Sequence, residues 1–323
     1  MALKFTIGQV PRTRAFQFAD LMELTVLVGL STQVSRADLD ALINTGNIDA
    51  DPDDDHEANT DSDAIAVTAS KVKNAEDCFG QFEYRAGALD EHYPFQVEQS
   101  LLTPRKQITN SGYVYLFCLV CSRLGSFSGK KGFTQRCAKL FTELAAVALS
   151  ASLKKSADVY VFDANSADRK AHFHTDLRKA LRKLAVELNA RPDEHLIDQQ
   201  SSAGDGGLDL VAFNRMGDKA LGVMAYFGQC AAQQNGWPSK TLEPKKTAGF
   251  FAMGHDPSNL LYTPVMYRNA AGHWVNDLHS QDCIIVDRLR MMRALQAVIH
   301  EAPSILFNQI RAVVHEVAGA VAD

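Results

Sequence analysis

Asp209 stands in an apolar run, Leu208 to Phe213, where a carboxylate is costly to bury unless it is paired or coordinates a metal. A second apolar run, Leu221 to Gln229, follows, and NRMGDKA between them supplies a turn through Gly217-Asp218. The two runs therefore read as a β-hairpin. With the turn centred on Gly217-Asp218, Asp209 faces about Phe227, and Gln229 lies diagonally from it on the same face. Side-chain roots so placed are roughly 7 Å apart, close enough for one ion to be held by both. Gly204, Gly206 and Gly207, just ahead of the aspartate, predict a bend with room for a bulky ligand. The competing reading is a glycine-rich turn with a solvated edge carboxylate.

The segments GDGGLDLVAF and GVMAYFGQCA resemble the core of the PD-(D/E)XK, or restriction-endonuclease-like, nucleases over roughly residues 165 to 255. That resemblance implies a helix carrying a glutamate, then a hairpin with an aspartate on its first strand and an acid-x-lysine triplet on its second. Gln229 matches the variant with glutamine in place of the second acid. The triplet here reads Gln229-Cys230-Ala231 and so departs from the pattern; Lys240 either returns a lysine to the site from the following segment, as in some members of the superfamily, or is a surface lysine. Together with GWPSK, these motifs are also similar to bacterial proteins of anti-phage defence. The resemblance implies Asp209, Gln229, Lys240 and Glu187 as the catalytic set, with Asp209, Gln229 and Glu187 holding Mg²⁺ or Mn²⁺. The partners it implies are DNA and, in a defence system, further subunits; a homo-oligomer stays open. The expected function is a metal-dependent DNA endonuclease. The alternative is an inactive nuclease-fold adaptor, for which Ala231 in the lysine position is the motive.

Phosphodiester hydrolysis needs a water made nucleophilic at neutral pH and a clamp for the charge that develops on phosphorus, and divalent ions supply both. Magnesium prefers oxygen ligands and keeps several waters. Two carboxylates and an amide oxygen suit it.

The element expected to present Glu187 is a helix from Asp168 to Ala190, with Phe173, Leu177, Ala180, Leu181, Leu184 and Leu188 in one stripe. On that wheel Glu187 lies about 70° from the centre of the stripe and Asp176 about 90°. Glu187 is thus the acid expected to look toward the hairpin. Arg178, Lys179, Arg182 and Lys183 cover the opposite face, either as solvated charges or as nucleic-acid contacts.

Elsewhere, helices are expected over Arg14–Leu30, from a Ser35/Asp38 cap to Gly46, and through RCAKLFTELAAVALSASL. Two more close the chain, Arg288–His300 and Ser304–Ala322. IAVTAS reads as a strand, YVYLFCLVC as strand or helix, and SADVYVFDA as the joint into the second domain. GSFSGKKG lacks phosphate-loop spacing and reads as a basic turn. Residues 48–63 form an acidic loop without the glycine and closing glutamate of a calcium site. The expected fold is α/β: a mixed central sheet flanked by helices over 156–323, after a mostly helical N-terminal domain over 1–155.

With 323 residues, 46% apolar and 22% charged, the chain is of ordinary soluble composition. No apolar run has the length of a membrane span and the start lacks a signal-peptide core, so no membrane partner and a cytoplasmic location are expected. The six scattered cysteines, Cys118 and Cys121 included, read as reduced thiols rather than a zinc site. The net charge of −5 is uneven: residues 1–100 hold 18 acids against 7 Lys and Arg, whereas residues 122–191 hold 14 Lys and Arg against 6 acids. A basic tract beside a nuclease site is where a polyanion would lie.

Overall fold

The computed structural model describes residues 2–8, 14–45, 62–233, 236–299 and 305–322. The acidic loop expected at 48–63 lies almost wholly outside them. The fold is mixed α/β, and the chain divides into two compact units that interleave along the sequence. One takes Met1–Arg136, Val265–Val275 and Pro303–Asp323, the other Cys137–Pro264 and Asn276–Ala302. A single boundary at 155/156 therefore does not describe the division. The helix of residues 133–152 runs mainly in the second unit, while two later segments return to the first.

The first unit is built on helices α1 (Ala15–Leu27), α2 (Arg36–Thr45), α3 (Ser62–Leu89) and α4 (Asn110–Ser122). Ser35 caps α2 as its sequence predicts: the Ser35 N–H and hydroxyl both donate to Asp38 Oδ2, each at 2.7 Å. The stretch IAVTAS lies inside α3 and is not a strand; the β-branched content of six residues does not decide where a 28-residue helix continues through them. Thr109 caps α4, accepting from Gly112 N–H at 3.0 Å. Two small sheets complete the unit: β2 (Val34–Ser35), β4 (Leu101–Pro104) and β3 (Phe95–Glu98) in that order, and β13 (Val321–Ala322), β1 (Lys4–Phe5) and β5 (Phe127–Ser128). Helix α10 (Ile305–Ala318) packs on α4 and brings the C-terminal segment home to this unit.

The core of the first unit holds buried charges. Arg85, fully buried, donates from Nη1 to Glu23 Oε1 and pairs with Asp20 Oδ1, both at 2.8 Å, and Nη2 donates to Phe16 O. Tyr93 and Tyr115 hydroxyls donate to the two oxygens of Glu23 at 2.7 Å, and Ser122 donates to Asp20 at 2.9 Å. Burial first, and then the neighbouring Glu23 carboxylate, hold the Tyr93 phenol protonated far above its usual range.

The second unit is organised by a five-stranded sheet ordered β12 (Ile284–Val286), β11 (Ser258–Tyr262), β9 (Met224–Cys230), β8 (Leu210–Asn214), β6 (Asp158–Val161). Strands β6, β8 and β9 form an antiparallel meander, and β9, β11 and β12 run parallel. A pair of short strands, β7 (Arg191–Pro192) and β10 (Phe251–Ala252), stands apart. The helices of this unit are α5 (Phe133–Ser152), α6 (Leu177–Glu187), α7 (Glu194–Asp198), α8 (Glu243–Ala248) and α9 (Arg288–Ile299). The stripe read from the sequence is buried in full: Phe173, Leu177, Ala180, Leu181, Leu184 and Leu188 join Val211, Phe213, Ala225 and Phe227 in one core. The helix carrying the stripe is shorter than Asp168–Ala190, however. A π-turn at Arg169–Phe173 and a break at His174 precede α6, which begins at the cap Asp176, its carboxylate accepting from Lys179 N–H at 3.2 Å. No described helix is long and apolar enough to cross a membrane.

The Arg85 network sets one stability test. Arg85→Met leaves Asp20 and Glu23 buried without their cation and should lower unfolding free energy by about 3–5 kcal/mol. Arg182→Met, which breaks exposed pairs to Glu194 and Asp198, should change it by less than about 1 kcal/mol. Urea denaturation of both variants decides; equal midpoints would contradict the network.

Candidate metal-binding site

The end of β6, the start of β8 and the ends of β9 and β11 share one margin of the five-stranded sheet, since Val161 pairs with Leu210, Leu210 with Gly228, and Cys230 with Tyr262. Three aspartates collect there. Asp163 lies two residues past β6, Asp205 in the glycine loop, and Asp209 immediately before β8. One carboxylate oxygen of each lies within 4.8 Å of the others.

Each carboxylate is placed by its own segment. Asp163 accepts from Asn165 N–H at 3.0 Å in a turn that its backbone closes onto Ser166. Asp205 accepts from Gly207 N–H at 2.8 Å. Asp209 is joined to both neighbouring strands: its N–H donates to Gly228 O at 2.9 Å and its carbonyl accepts from Phe162 N–H at 2.6 Å. Its carboxylate accepts the Cys230 N–H at 2.7 Å and so closes the free end of β9.

The glycine loop is tightly held. Leu177 N–H donates to Ser202 O at 2.9 Å and Thr247 Oγ1 donates to Gly206 O at 2.5 Å. Gly206 and Gly207 have φ of +69° and +81°, and a Cβ on Gly207 would stand 3.1 Å from Glu243 Cβ. Space beside the loop is thus closed at Gly207 by Glu243, while nothing lies within 4 Å of a Cβ built on Gly204. The glycines let the loop turn against α6 and α8 and deliver Asp205.

Asp209 is 7% exposed. Burial pushes its carboxyl up to about 7; the Asp205 and Asp163 charges push the same way, while the Cys230 N–H and the Lys240 charge pull it down. All donors here are hard oxygens, which suits Mg²⁺ or Mn²⁺, and such an ion would relieve the clustered charge. The buried side-chain oxygen of Gln229 has no hydrogen-bond partner among the described residues, and an amide oxygen is a further donor of the right kind.

Several expectations need revision. The register pairs Val211, not Asp209, with Phe227, so position 209 comes level with Gln229 instead of lying diagonal to it. Asp209 and Gln229 share the sheet margin. Lys240, on the 3₁₀ turn Trp237–Leu242, is near enough for its charge to act on Asp209. Asn259 fixes that turn, its Nδ2 donating to Thr241 O at 2.6 Å.

Glu187 is not part of the site. It ion-pairs with Arg215, which also binds Asp158 at 2.7 Å, and roughly 20 Å of strand separates Arg215 from Asp209. The basic face of α6 is partly neutralised: Arg182 binds Glu194 and Asp198, and Arg178 lies 3.8 Å from Asp176. Lys179 and Lys183 remain exposed. Asp163 and Asp205 are not among the residues the sequence motifs single out. The signal in the sequence is an aspartate ending the strand-like DVYVF and another inside Gly-Asp-Gly-Gly, whereas the resemblance implies a second acid on a helix. Cys118 and Cys121 are buried in α4.

Comparison of the chain with family models, curated proteins and solved structures finds no match.

The raised Asp209 value makes stability fall with pH. The folded state holds this proton to about pH 7, whereas the unfolded chain releases it near 3.8. The group's contribution is therefore full below pH 3.8 and lost as pH rises to about 7, by at most about 4 kcal/mol at 1.36 kcal/mol per pH unit. Without divalent ions, Asp209→Asn should flatten this slope and be the more stable form at pH 8. Thermal melts from pH 4 to 8 in EDTA check it; parallel profiles for both proteins would contradict it.

Proposed function

We propose that this chain is a divalent-cation-dependent nuclease acting on DNA. The observation that carries the reading is the meeting of Asp163, Asp205 and Asp209 within 4.8 Å at the hairpin that resembles the PD-(D/E)XK core. The meander β6-β8-β9 with β11 parallel to β9 fits the mixed central sheet flanked by helices that the resemblance implies. On the same resemblance alone, the reading extends to a cytoplasmic effector of anti-phage defence.

Asp163, Asp205 and Asp209 would hold the ion, with the Gln229 amide oxygen as a further donor. A bound Mg²⁺ or Mn²⁺ supplies a Lewis acid for a phosphoryl oxygen and lowers the pKa of bound water. Lys240, whose charge reaches Asp209, would take the role of the missing triplet lysine. There it stabilises negative charge growing on phosphorus. Lys179 and Lys183 offer backbone phosphates a sequence-independent contact.

Ala231, buried where the triplet would end, favours a second reading, an adaptor that keeps the fold without the chemistry. Plasmid nicking with Mn²⁺ separates the two. Wild type and Glu187→Ala should nick at similar rates, while Asp209→Ala and Asp163→Ala fall to background and Lys240→Ala loses on the order of 10²-fold. Equal rates for wild type and Asp209→Ala would remove the catalytic claim, and absence of nicking in all would leave the adaptor.

A further inference from the structure

Arg169 is fully buried, yet every hydrogen bond of its guanidinium goes to a main-chain oxygen. Nε donates to His174 O at 3.0 Å and Nη2 to Thr175 O at 3.3 Å. Nη1 donates to Gly204 O at 2.6 Å and to Phe162 O at 3.4 Å. Those last two carbonyls immediately precede Asp205 and Asp163. One nitrogen thus ties together the two segments, 42 positions apart in sequence, that deliver two of the three clustered carboxylates. The guanidinium also lies over the Phe162 ring, 5.1 Å from its centroid, and its own backbone N–H donates to Ser166 Oγ at 3.0 Å.

Most buried arginines that face acids bind them directly, as Arg85 does in the first unit. Arg169 has Asp205, Asp163 and Asp176 near enough for their charges to act on it, but it bonds the backbone beneath them. Apart from one backbone N–H on Oδ1 of each, the carboxylates of Asp163 and Asp205 are thus left to a third party, whereas Asp176 is engaged as the cap of α6. A planar fork with donors in fixed directions can span several carbonyls at once, which a lysine ammonium on a flexible stem cannot reproduce.

We propose that Arg169 is a positioning residue for cation binding: by clamping the carbonyls of Phe162 and Gly204 it sets the separation of Asp163 and Asp205. The inference rests on the reading of the three aspartates as cation ligands. It adds that the affinity of the site is controlled by a side chain that touches neither the ion nor any carboxylate. Groups that orient metal ligands from behind typically change affinity by roughly 10–100-fold when removed.

The test uses the full chain and Mn²⁺ alone, with free Mn²⁺ followed by electron paramagnetic resonance and folding by circular dichroism. Arg169→Gln and Arg169→Lys should both weaken Mn²⁺ binding by roughly 10–100-fold, the lysine variant recovering little although it keeps the charge. Ile197→Ala, a cavity in the same core, should lower the melting temperature and leave Mn²⁺ affinity unchanged, as a purely structural role for Arg169 would also do. Wild-type affinity in Arg169→Lys would overturn the clamp, because charge alone would then suffice. Unchanged affinity in both variants would overturn it while leaving the cation site standing. Failure of the wild type to bind Mn²⁺ would instead remove the site and the clamp with it. Should neither variant fold, hydrogen exchange on the unmodified protein decides. Mn²⁺ should slow the amides of residues 162–165 and 203–207 together, and protection confined to one stretch would overturn the proposal.

Discussion

Three carboxylates held within 4.8 Å repel one another by roughly 3–4 kcal/mol per ionised pair at the effective dielectric typical of a protein surface. A hydrogen bond such as that from Cys230 N–H to Asp209 returns only about 0.5–1.5 kcal/mol net, or somewhat more to a charged acceptor. The difference has to be met by a proton, by nearby positive charge or by a bound cation. The raised Asp209 value is the proton's answer, and Lys240 and Arg169 are the fixed charges. Much of the local structure then follows as the means of keeping the acids together: the left-handed glycines, the Thr247 contact, the Arg169 fork and the pairing of Asp209 with both neighbouring strands.

The first unit solves a related problem differently. Asp20 and Glu23 are also buried and close, but Arg85, Tyr93, Tyr115 and Ser122 bond their oxygens directly. All four of those carboxylate oxygens are taken by side-chain donors, so the acids tie α1 to α3 and α4. At the sheet margin the supporting bonds run to backbone atoms, and side-chain oxygens are left facing one another. Two clusters of similar composition thus differ in what they can do because of where their hydrogen bonds end.

Much of the helical framework was legible in the sequence because its signals are local. The Ser35/Asp38 cap, the apolar stripe of α6 and the strand-turn-strand pattern around Gly217-Asp218 each depend on residues a few positions apart. Errors arose where a short window was asked a longer question. IAVTAS is rich in β-branched residues like a strand but belongs to α3. The region from Asp168 to Ala190 has one periodic face but is interrupted at His174, where Asp176 becomes a cap.

By itself, then, the sequence determined the mixed α/β class, the hairpin, and Asp209 as a carboxylate needing a partner, because burial and alternation are properties of neighbouring residues. Only the tertiary structure decided which partners it has. Asp163 and Asp205 reach Asp209 through the β6-β8 pairing and a loop folded back by glycines, whereas Glu187, favoured by its helical angle, is carried to the opposite end of the strands and captured by Arg215. A helical wheel gives direction around an axis but no position along the sheet, and the position along the sheet is what brings charges into range of one another.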